Sequence, residues 1–257
     1  AMIAPRLKAA TIGWQHNCYD GYLHVKPVVF WQQENLLQQY LPNLDRYIVL
    51  SDYDKRDYME KLGIDCEVKI NPRSFVSEKK CDVKSKRFLM ATRFVYAKGL
   101  DLMMESFEEF CKEDSEWELD IIGDGDLFDQ IRADAKKRHL EKRVHFVGYT
   151  NEPEKYYLNS SVFLLPSRWE GWPMVIMEAF EFGLPVIAFH TGAMDLIIDD
   201  GKTGYLPEAF DTKKFTDAML KLAHDEELRR EMSRNAIWKS EDFAIEKAVK
   251  EWNRLFN

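Results

Sequence analysis

The sequence predicts an α/β protein whose parallel β-sheets are covered by helices. Short apolar runs alternate with longer amphipathic stretches along almost the whole chain of 257 residues, and this alternation is typical of strands joined by crossover helices. Hydrophobic residues make up 46% of the chain and charged residues 31%, which is enough for packed cores beneath a polar surface. No run approaches the roughly 18 apolar residues that a membrane-spanning helix needs.

Eight short apolar runs are candidate strands. They cover residues 9–14, 47–50, 67–70, 87–91, 119–122, 144–147, 162–165 and 185–189. Apolar residues recur at helical spacing in the stretches between and after these runs. The stretches predict helices over residues 101–112, 127–139, 212–224 and 241–256, and one more that opens at Pro173 and is stopped by Gly183.

The candidate strands fall into two blocks. Three lie before residue 80 and at least five between residues 84 and 206, and the polar segment 71–86, which carries Pro72, separates them. We therefore expect a partial N-terminal Rossmann-like domain with its linker at residues 1–83, and a complete C-terminal Rossmann-like domain at residues 84–240. Residues 241–257 are expected to form a helix that packs back towards the N-terminal domain. The first block is small for a doubly wound domain, which favours a parent domain that begins upstream.

Charge and cysteine usage exclude some classes of partner. The formal net charge of −8 argues against nonspecific binding of nucleic acid, but it allows a local basic pocket for a phosphorylated small molecule. Basic residues near the start are too few to argue for an anionic-lipid site, so peripheral association with a membrane stays open. The cysteines form no Cys-x-x-Cys pair, which indicates free thiols in a reducing, cytoplasmic compartment. They are Cys18, Cys66, Cys81 and Cys111.

Candidate ligand-binding residues follow the predicted strands of the second block. In open parallel sheets, ligands bind beyond the carboxyl ends of the strands. Arg93 and Lys98 follow the strand at 87–91, a Gly-Asp-Gly turn follows the strand at 119–122, and Gly148 and Tyr149 follow the strand at 144–147. Taken alone, the cations are solvated charges and the glycines are turn residues. Their coincidence at one sheet edge is what indicates a site.

The segment 167–185, SRWEGWPMVIMEAFEFGLP, is the most specific part of this edge. Pro173 suits the first position of a helix, where its missing N–H costs nothing. The free N–H groups of Met174 and Val175, together with the positive end of the helix dipole, make an anion site. Gly171 lets the backbone come close to a ligand. Glu170 precedes the helix and Glu178 lies more than one turn inside it.

Two glutamates would repel a phosphate at this helix start unless cations intervened. Arg93 and Lys98 can supply those cations. Each carboxylate can then accept hydrogen bonds from a vicinal diol on either side of the phosphate. A molecule with a diol, then a diphosphate, then another polyol is a nucleotide sugar. The alternative, two ordinary surface glutamates on a helix of core residues, stays open on spacing alone.

With these residues in place, the second block resembles the donor-binding domain of retaining glycosyltransferases of family 4, which have the two-Rossmann-domain (GT-B) fold. Glu170 and Glu178 within EGWPMVIME match the family's E-x7-E signature, and Arg93 and Lys98 lie in the family-like ATRFVYAKGLDLMM. VGYT and EAFEFGLPVIAFHTGAMDLIIDDGKTGYL are also typical, so the resemblance covers residues 84–240. The first block, with IGWQHN and YIVLSDYDKRDYMEKLGI, resembles the later part of the family's acceptor domain.

The resemblance implies a role for each site residue. Arg93 and Lys98 would hold the donor diphosphate, Glu178 the ribose hydroxyls, and Glu170 the hydroxyls of the donor sugar. His16 falls near the histidine that family members place facing that sugar. The implied catalytic residues are therefore Glu170, Arg93, Lys98 and His16. The implied donor-binding residues are Arg93, Lys98, Gly148, Tyr149, Glu170, Gly171, Trp172, Pro173, Met174, Val175 and Glu178. The resemblance implies neither a cofactor nor a metal.

We accordingly expect a cytoplasmic hexosyltransferase, at the inner membrane face if it associates with a membrane. It would use a nucleotide-diphosphate sugar, UDP-linked rather than GDP-linked, and a polysaccharide or glycolipid acceptor. Two alternatives remain. Because the family's first strands and glycine-rich N-terminal loop have no counterpart here, the chain could be a nucleotide-sugar-binding fragment without turnover of its own. A hydrolase using Glu170 and Glu178 as an acid pair is less favoured, because neighbouring cations and a helix start suit phosphate better.

Overall fold

The structure is a computed structural model that describes residues 1–23 and 33–256, with side chains up to Arg254. The chain forms two compact units. The first comprises Ala1–Pro72, Trp169–Pro173 and Ala244–Asn257, and the second comprises Arg73–Arg168 and Met174–Phe243. The division at residue 72 falls inside the polar segment 71–86. The assignment of the units to acceptor and donor binding stays a prediction.

The described residues form nine strands and eleven α-helices. The strands are β1 (Ile12–Trp14), β2 (Arg46–Val49), β3 (Glu67–Val68), β4 (Arg87–Ala91), β5 (Glu118–Ile122), β6 (Val144–Gly148), β7 (Val162–Leu165), β8 (Val186–Ala188) and β9 (Gly204–Tyr205). The helices are α1 (Tyr19–Leu23), α2 (Glu34–Tyr40), α3 (Asp52–Leu62), α4 (Leu100–Glu113), α5 (Phe128–Lys137), α6 (Glu154–Leu158), α7 (Met174–Phe182), α8 (Met194–Ile197), α9 (Thr212–His224), α10 (Glu226–Ser240) and α11 (Ile245–Phe256). All eight predicted strands are confirmed, and β9 was not predicted.

The first unit contains a three-stranded parallel sheet in the order β1-β2-β3. Helix α3 connects β2 to β3. At its start the Ser51 hydroxyl accepts a hydrogen bond from the N–H of Asp54, and it ends at Gly63, whose φ is +69°. These are the residue types that helix starts and left-handed helix ends favour. Tyr58, fully buried on α3, packs edge-on against Tyr47 of β2, and so joins the helix to the sheet.

The second unit contains a six-stranded parallel sheet in the order β6-β5-β4-β7-β8-β9. The four central strands β5, β4, β7 and β8 are almost wholly buried, as expected for a parallel sheet with helices on both faces. Among the described residues, the largest apolar cluster lies here, where Phe107 and Phe110 of α4 pack on Phe88 of β4. Strand β9 consists of Gly204 and Tyr205 alone and lies in no apolar run, so the sequence pattern missed it.

The strand order reverses at β4. From β4 the chain proceeds to β5 and β6 on one side, and then returns to β7, β8 and β9 on the other. Such a reversal leaves a crevice beyond the carboxyl ends of the two strands at the switch point, here β4 and β7. The loops that follow these two strands are those that carry the predicted cations and the segment 167–173.

A buried ion network anchors the start of the second unit. Nη1 of Arg73 lies 2.8 Å from Oε2 of Glu181. The backbone N–H of Arg73 donates to the carbonyl of Phe243 at 2.7 Å. Burial by itself would raise the pKa of Glu181, but the N–H of Ser77 and the cations of Lys80 and Arg73 outweigh it, so that the pKa lies below its ordinary value. This carboxylate stays ionised inside the protein because it is paired and hydrogen-bonded.

The four cysteines are free thiols, as predicted. Burial raises the pKa of Cys18 and Cys66 to about 12 and that of Cys81 and Cys111 to about 11. Their thiolates are therefore scarce at neutral pH. Among the residues described, no helix is both long enough and apolar enough to span a membrane.

Candidate functional site

The loop after β4 presents the two predicted cations at the sheet edge. Arg93 is exposed, and its guanidinium forms no ion pair with any residue that the structure describes. Lys98 is half-buried and ends the 3-10 turn Tyr96–Lys98. Between these two cations the buried ring of Phe94 packs against Phe128, at a centroid distance of 4.9 Å. Phe94 thus anchors the loop in the core, while Arg93 and Lys98 remain at the edge of the sheet.

Two glycines let neighbouring loops approach to backbone contact at this edge. A Cβ atom on Gly99, where φ is +64°, would lie 2.0 Å from the carbonyl oxygen of Pro166 in the loop after β7. A Cβ atom on Gly123 would lie 1.8 Å from the carbonyl oxygen of Thr92. Both positions therefore require glycine. The Gly-Asp-Gly turn predicted from the sequence packs directly against the loop that carries Arg93 and Lys98.

Arg168 links the loop after β7 to the turn that carries Lys98. Its guanidinium binds Asp101 through two hydrogen bonds of 2.8 and 2.6 Å, and donates to the carbonyl of Tyr96 at 2.9 Å. The same group lies 4.0 Å from the centroid of the Tyr96 ring, and the Arg168 N–H donates to the carbonyl of Ala97. The hydrogen bonds from Arg168 hold the pKa of Asp101 below its ordinary value. Sequence reasoning assigned Arg168 no role, since nothing in its neighbours signals a partner 67 residues earlier.

Glu178 lies on α7 and has one hydrogen-bond partner that the sequence did not reveal. The hydroxyl of Tyr157 donates to Oε2 of Glu178 at 3.0 Å. Burial raises the pKa of Glu178, and this hydrogen bond opposes the rise. The carboxylate is half-buried, so it remains available to a ligand on one side.

Glu178 and Tyr157 line a cavity of about 600 Å³ within the second unit. Phe75 and Phe182 give it apolar walls, and Lys155 lies among its lining residues. Its volume is within the range of small-molecule sites, which combine apolar walls with a few polar groups. The cavity can therefore accept a flat or sugar-like group beside a carboxylate.

The residues that precede α7 belong to the first compact unit. The helix α7 begins at Met174, one residue later than predicted, so Pro173 immediately precedes it. A difference of one residue is within the usual variation of helix ends. Glu170 is buried, with 9% of its surface exposed, and Trp172 is buried as well. A Cβ atom on Gly171 would lie 2.4 Å from the carbonyl oxygen of His16. The close approach expected of Gly171 is thus made by the chain's own backbone.

The remaining predicted residues lie at strand ends or at the start of α7. Gly148 ends β6 with φ at +78° and open space around it, and Tyr149 is 78% exposed. Met174 and Val175 form the first turn of α7 and are half-buried. His16 follows β1 and is exposed, with its ring 4.3 Å from that of Trp14.

The parallel sheets and the reversal of strand order at β4 define a class: doubly wound α/β proteins, in which ligands bind beyond the carboxyl ends of the strands. The chain belongs to the family of glycosyl transferases group 1, whose model matches residues 74–238. The predicted family membership is thereby confirmed. The finer assignment to retaining family 4 stays a prediction.

Two curated relatives illustrate the family. The chain is 29% identical over 214 residues to an uncharacterized glycosyltransferase of Haemophilus influenzae, covering 82% of this chain and 61% of that protein. It is 33% identical over 176 residues to the amylovoran biosynthesis glycosyltransferase AmsD of Erwinia amylovora, covering 68% of this chain and 49% of that protein. The chain thus spans about half to three-fifths of the length of these relatives.

A solved structure shows the same fold. The chain matches S. aureus TarM, crystallised with Fondaparinux, alpha-GlcNAc-glycerol and UDP, with a TM-score of 0.86 and 24% sequence identity. The match covers 97% of this chain and 51% of that chain. The predicted GT-B fold class is confirmed.

Proposed function

We propose that the protein transfers a hexosyl unit from a nucleotide-diphosphate sugar to a polysaccharide or glycolipid acceptor, with retention of configuration. The observation that carries this proposal is the loop after β4. It presents the exposed Arg93 and the half-buried Lys98 at the switch point of the sheet. Two cations on one loop suit a diphosphate, whose charge they would neutralise without a metal ion. Family membership supports the reaction class.

The nucleoside would lie next to the diphosphate, with its ribose at Glu178. A half-buried carboxylate that lines an apolar cavity suits a vicinal diol, since it can accept hydrogen bonds from both hydroxyls. Gly148 and Tyr149 would border the base. We propose uridine as the base, because the structurally similar TarM was crystallised with UDP.

The sugar would lie on the side of Glu170. Gly171, Trp172 and Pro173, together with the N–H groups of Met174 and Val175, would line the sugar and the adjoining phosphate. His16, whose carbonyl approaches Gly171 in the first unit, would face the sugar. This assignment rests on the resemblance and on the proximity of His16 to Gly171.

Transfer then needs no protein nucleophile. The bond between the anomeric carbon and the phosphate oxygen breaks, and the acceptor hydroxyl oxygen bonds to the same carbon on the same face. The acceptor's proton passes to the departing phosphate oxygen, so charge and atoms balance. Arg93 and Lys98 stabilise the negative charge that develops on the leaving diphosphate.

A glycan acceptor is supported by two of the similar proteins. AmsD is an amylovoran biosynthesis glycosyltransferase, and TarM was crystallised with alpha-GlcNAc-glycerol. We propose a cytoplasmic location, which the four free cysteines favour. Peripheral attachment at the inner membrane face belongs to the same proposal.

The proposal is tested by calorimetric titration with UDP and a panel of UDP-sugars, followed by a UDP-release assay with glycan acceptors. Lys98→Ala is expected to weaken UDP binding roughly tenfold, because a charged hydrogen bond to phosphate is lost. Lys213→Ala, an exposed lysine on α9, is the matched control. Failure of every nucleoside diphosphate to bind would overturn the proposal.

Two other outcomes identify the alternatives. Binding of UDP-sugars without transfer, with transfer restored in a longer chain, would favour a nucleotide-sugar-binding fragment. Hydrolysis of a simple glycoside that carries no nucleotide, abolished by Glu170→Gln, would favour a hydrolase instead.

A further inference from the structure

Tyr157 is held in a single position by its neighbours. Only 2% of its surface is exposed. Its ring stacks on Phe163 of β7 with a centroid distance of 5.9 Å and an interplanar angle of 4°, and on Phe182 of α7 at 5.0 Å and 23°. Aromatic contacts of this kind, together with close packing, leave a buried ring little freedom. The hydroxyl of Tyr157 therefore occupies a fixed point beside the cavity.

The carboxylate of Glu178 receives that hydroxyl on one oxygen only. The donor–acceptor distance to Oε2 is 3.0 Å. Among the described residues, this is the only hydrogen bond that the structure gives to the Glu178 side chain. Since the residue lines the cavity and is only half-buried, its other oxygen remains for a ligand.

We propose that Tyr157 is a positioning residue, which fixes Oε2 of Glu178 so that the carboxylate presents its other oxygen to the ribose hydroxyls of a nucleoside diphosphate. This inference rests on the proposed function and deepens it. Tyr157 acts on the ligand through Glu178. A carboxylate that is already oriented loses less rotamer freedom when the ribose binds.

The hydrogen bond also favours the ionised form of the carboxylate. Burial raises the pKa of Glu178, and the Tyr157 hydroxyl lowers it. The charged residues that share the cavity lining neutralise one another in part: Lys79 pairs with Glu154 at 2.9 Å and Lys155 with Glu152 at 3.5 Å. Those rim pairs are exposed and interact weakly, so the hydroxyl is the main group that opposes protonation of Glu178.

The test is a titration with UDP from neutral to mildly acidic pH, using the whole chain and Tyr157→Phe. The substitution removes one hydroxyl and keeps the stacked ring. We expect UDP binding to weaken roughly three- to tenfold at neutral pH. The loss of binding on acidification should begin at higher pH, because the pKa of Glu178 rises once its donor is gone. Tyr156→Phe is the matched control, since the ring of Tyr156 contacts Lys155 rather than Glu178.

A second variant separates the two proposals. Glu178→Gln cannot ionise, so it is expected to bind UDP weakly at all pH values and to lose the acid dependence. If Glu178→Gln weakens binding while Tyr157→Phe keeps both the affinity and the acid dependence of the wild type, the positioning role is overturned and the donor site stands. A Tyr157→Phe variant that differs from the wild type only in melting at a lower temperature also overturns the positioning role. If the wild type binds no nucleoside diphosphate, the donor site itself fails.

Discussion

Arg168 and Asp101 form a two-point hydrogen-bonded ion pair across two loops, with N–O distances of 2.8 and 2.6 Å. Arg168 lies in the loop after β7, and Asp101 lies in the first turn of α4, three residues after Lys98. Such a bidentate pair fixes direction as well as distance. It therefore determines where the turn with Lys98 lies.

Replacing Arg168 by methionine is expected to reduce UDP affinity roughly three- to tenfold, because the turn that carries Lys98 loses its support. Affinity for uridine, which lacks the diphosphate, should hardly change. Calorimetry for UDP and ligand-observed NMR for uridine measure the difference. Arg234→Met, an exposed position on α10, is the control. An equal loss of UDP and uridine binding would show that Arg168 acts on the fold as a whole.

Substitutions of the two glutamates of EGWPMVIME are expected to affect the binding of different ligands. Glu178→Ala should weaken binding of free UDP roughly tenfold, since a charged acceptor of the ribose hydroxyls is lost. Glu170→Ala should leave free UDP unaffected and weaken only a UDP-sugar. Titration of each variant with both ligands makes the comparison, with Glu231→Ala on the exposed face of α10 as control. Equal effects on free UDP would contradict the division of roles.

Gly99 should tolerate no side chain, because its Cβ atom would lie 2.0 Å from a carbonyl oxygen of Pro166. We expect Gly99→Ala to lower the free energy of unfolding by more than about 3 kcal/mol and to weaken UDP binding. Gly201 is a matched control, since its φ of +74° is similar but open space surrounds it. Gly201→Ala should cost only about 1 kcal/mol, the strain of a left-handed alanine. Urea unfolding of both variants measures the difference, and equal costs would refute the steric argument.

The buried pair of Arg73 and Glu181 predicts a dependence of stability on pH. The pKa of Glu181 is lower in the folded than in the unfolded protein, so its contribution is complete above the unfolded pKa and is lost as the pH falls through the folded pKa. Arg73→Met should lower the free energy of unfolding at neutral pH by about 1.5–3 kcal/mol, because it removes one charged hydrogen bond from the buried carboxylate while Lys80 remains 3.0 Å away.

The measurement is unfolding by urea at neutral and acidic pH. Glu181→Gln should be less stable than the wild type at neutral pH and should lose less stability on acidification. The exposed pair of Glu109 and Lys112 provides a control, since Glu109→Gln should change little. An acid response of Glu181→Gln that equals that of the wild type would assign the effect to other carboxylates.

Much of the fold was predictable from the sequence because it depends on local pattern. Buried parallel strands such as β4 and β7 appear as short apolar runs, and the loop cations Arg93 and Lys98 lie within a few residues of a strand end. The contacts that orient the candidate site depend on distant residues. The partners of Tyr157 and Arg168 become neighbours only when the sheet has formed, and a tyrosine or arginine fits many environments equally well.

The contact between Gly171 and His16 illustrates the same limit. The sequence indicated that Gly171 permits a close approach, since only glycine lacks a Cβ atom. It could not indicate which group approaches, because the segment around His16 lies about 150 residues earlier in the chain. The structure shows that this group is the backbone carbonyl of His16.

The four cysteines give the protein a practical advantage for spectroscopy. A thiol whose pKa is about 11 or 12 is deprotonated in at most about one molecule in a thousand at pH 8, and only the thiolate reacts with a maleimide dye. A single reporter cysteine can therefore be introduced without removing the native ones. Trp238, 75% exposed on α10, is a suitable place, and Trp238→Cys would take up the dye selectively.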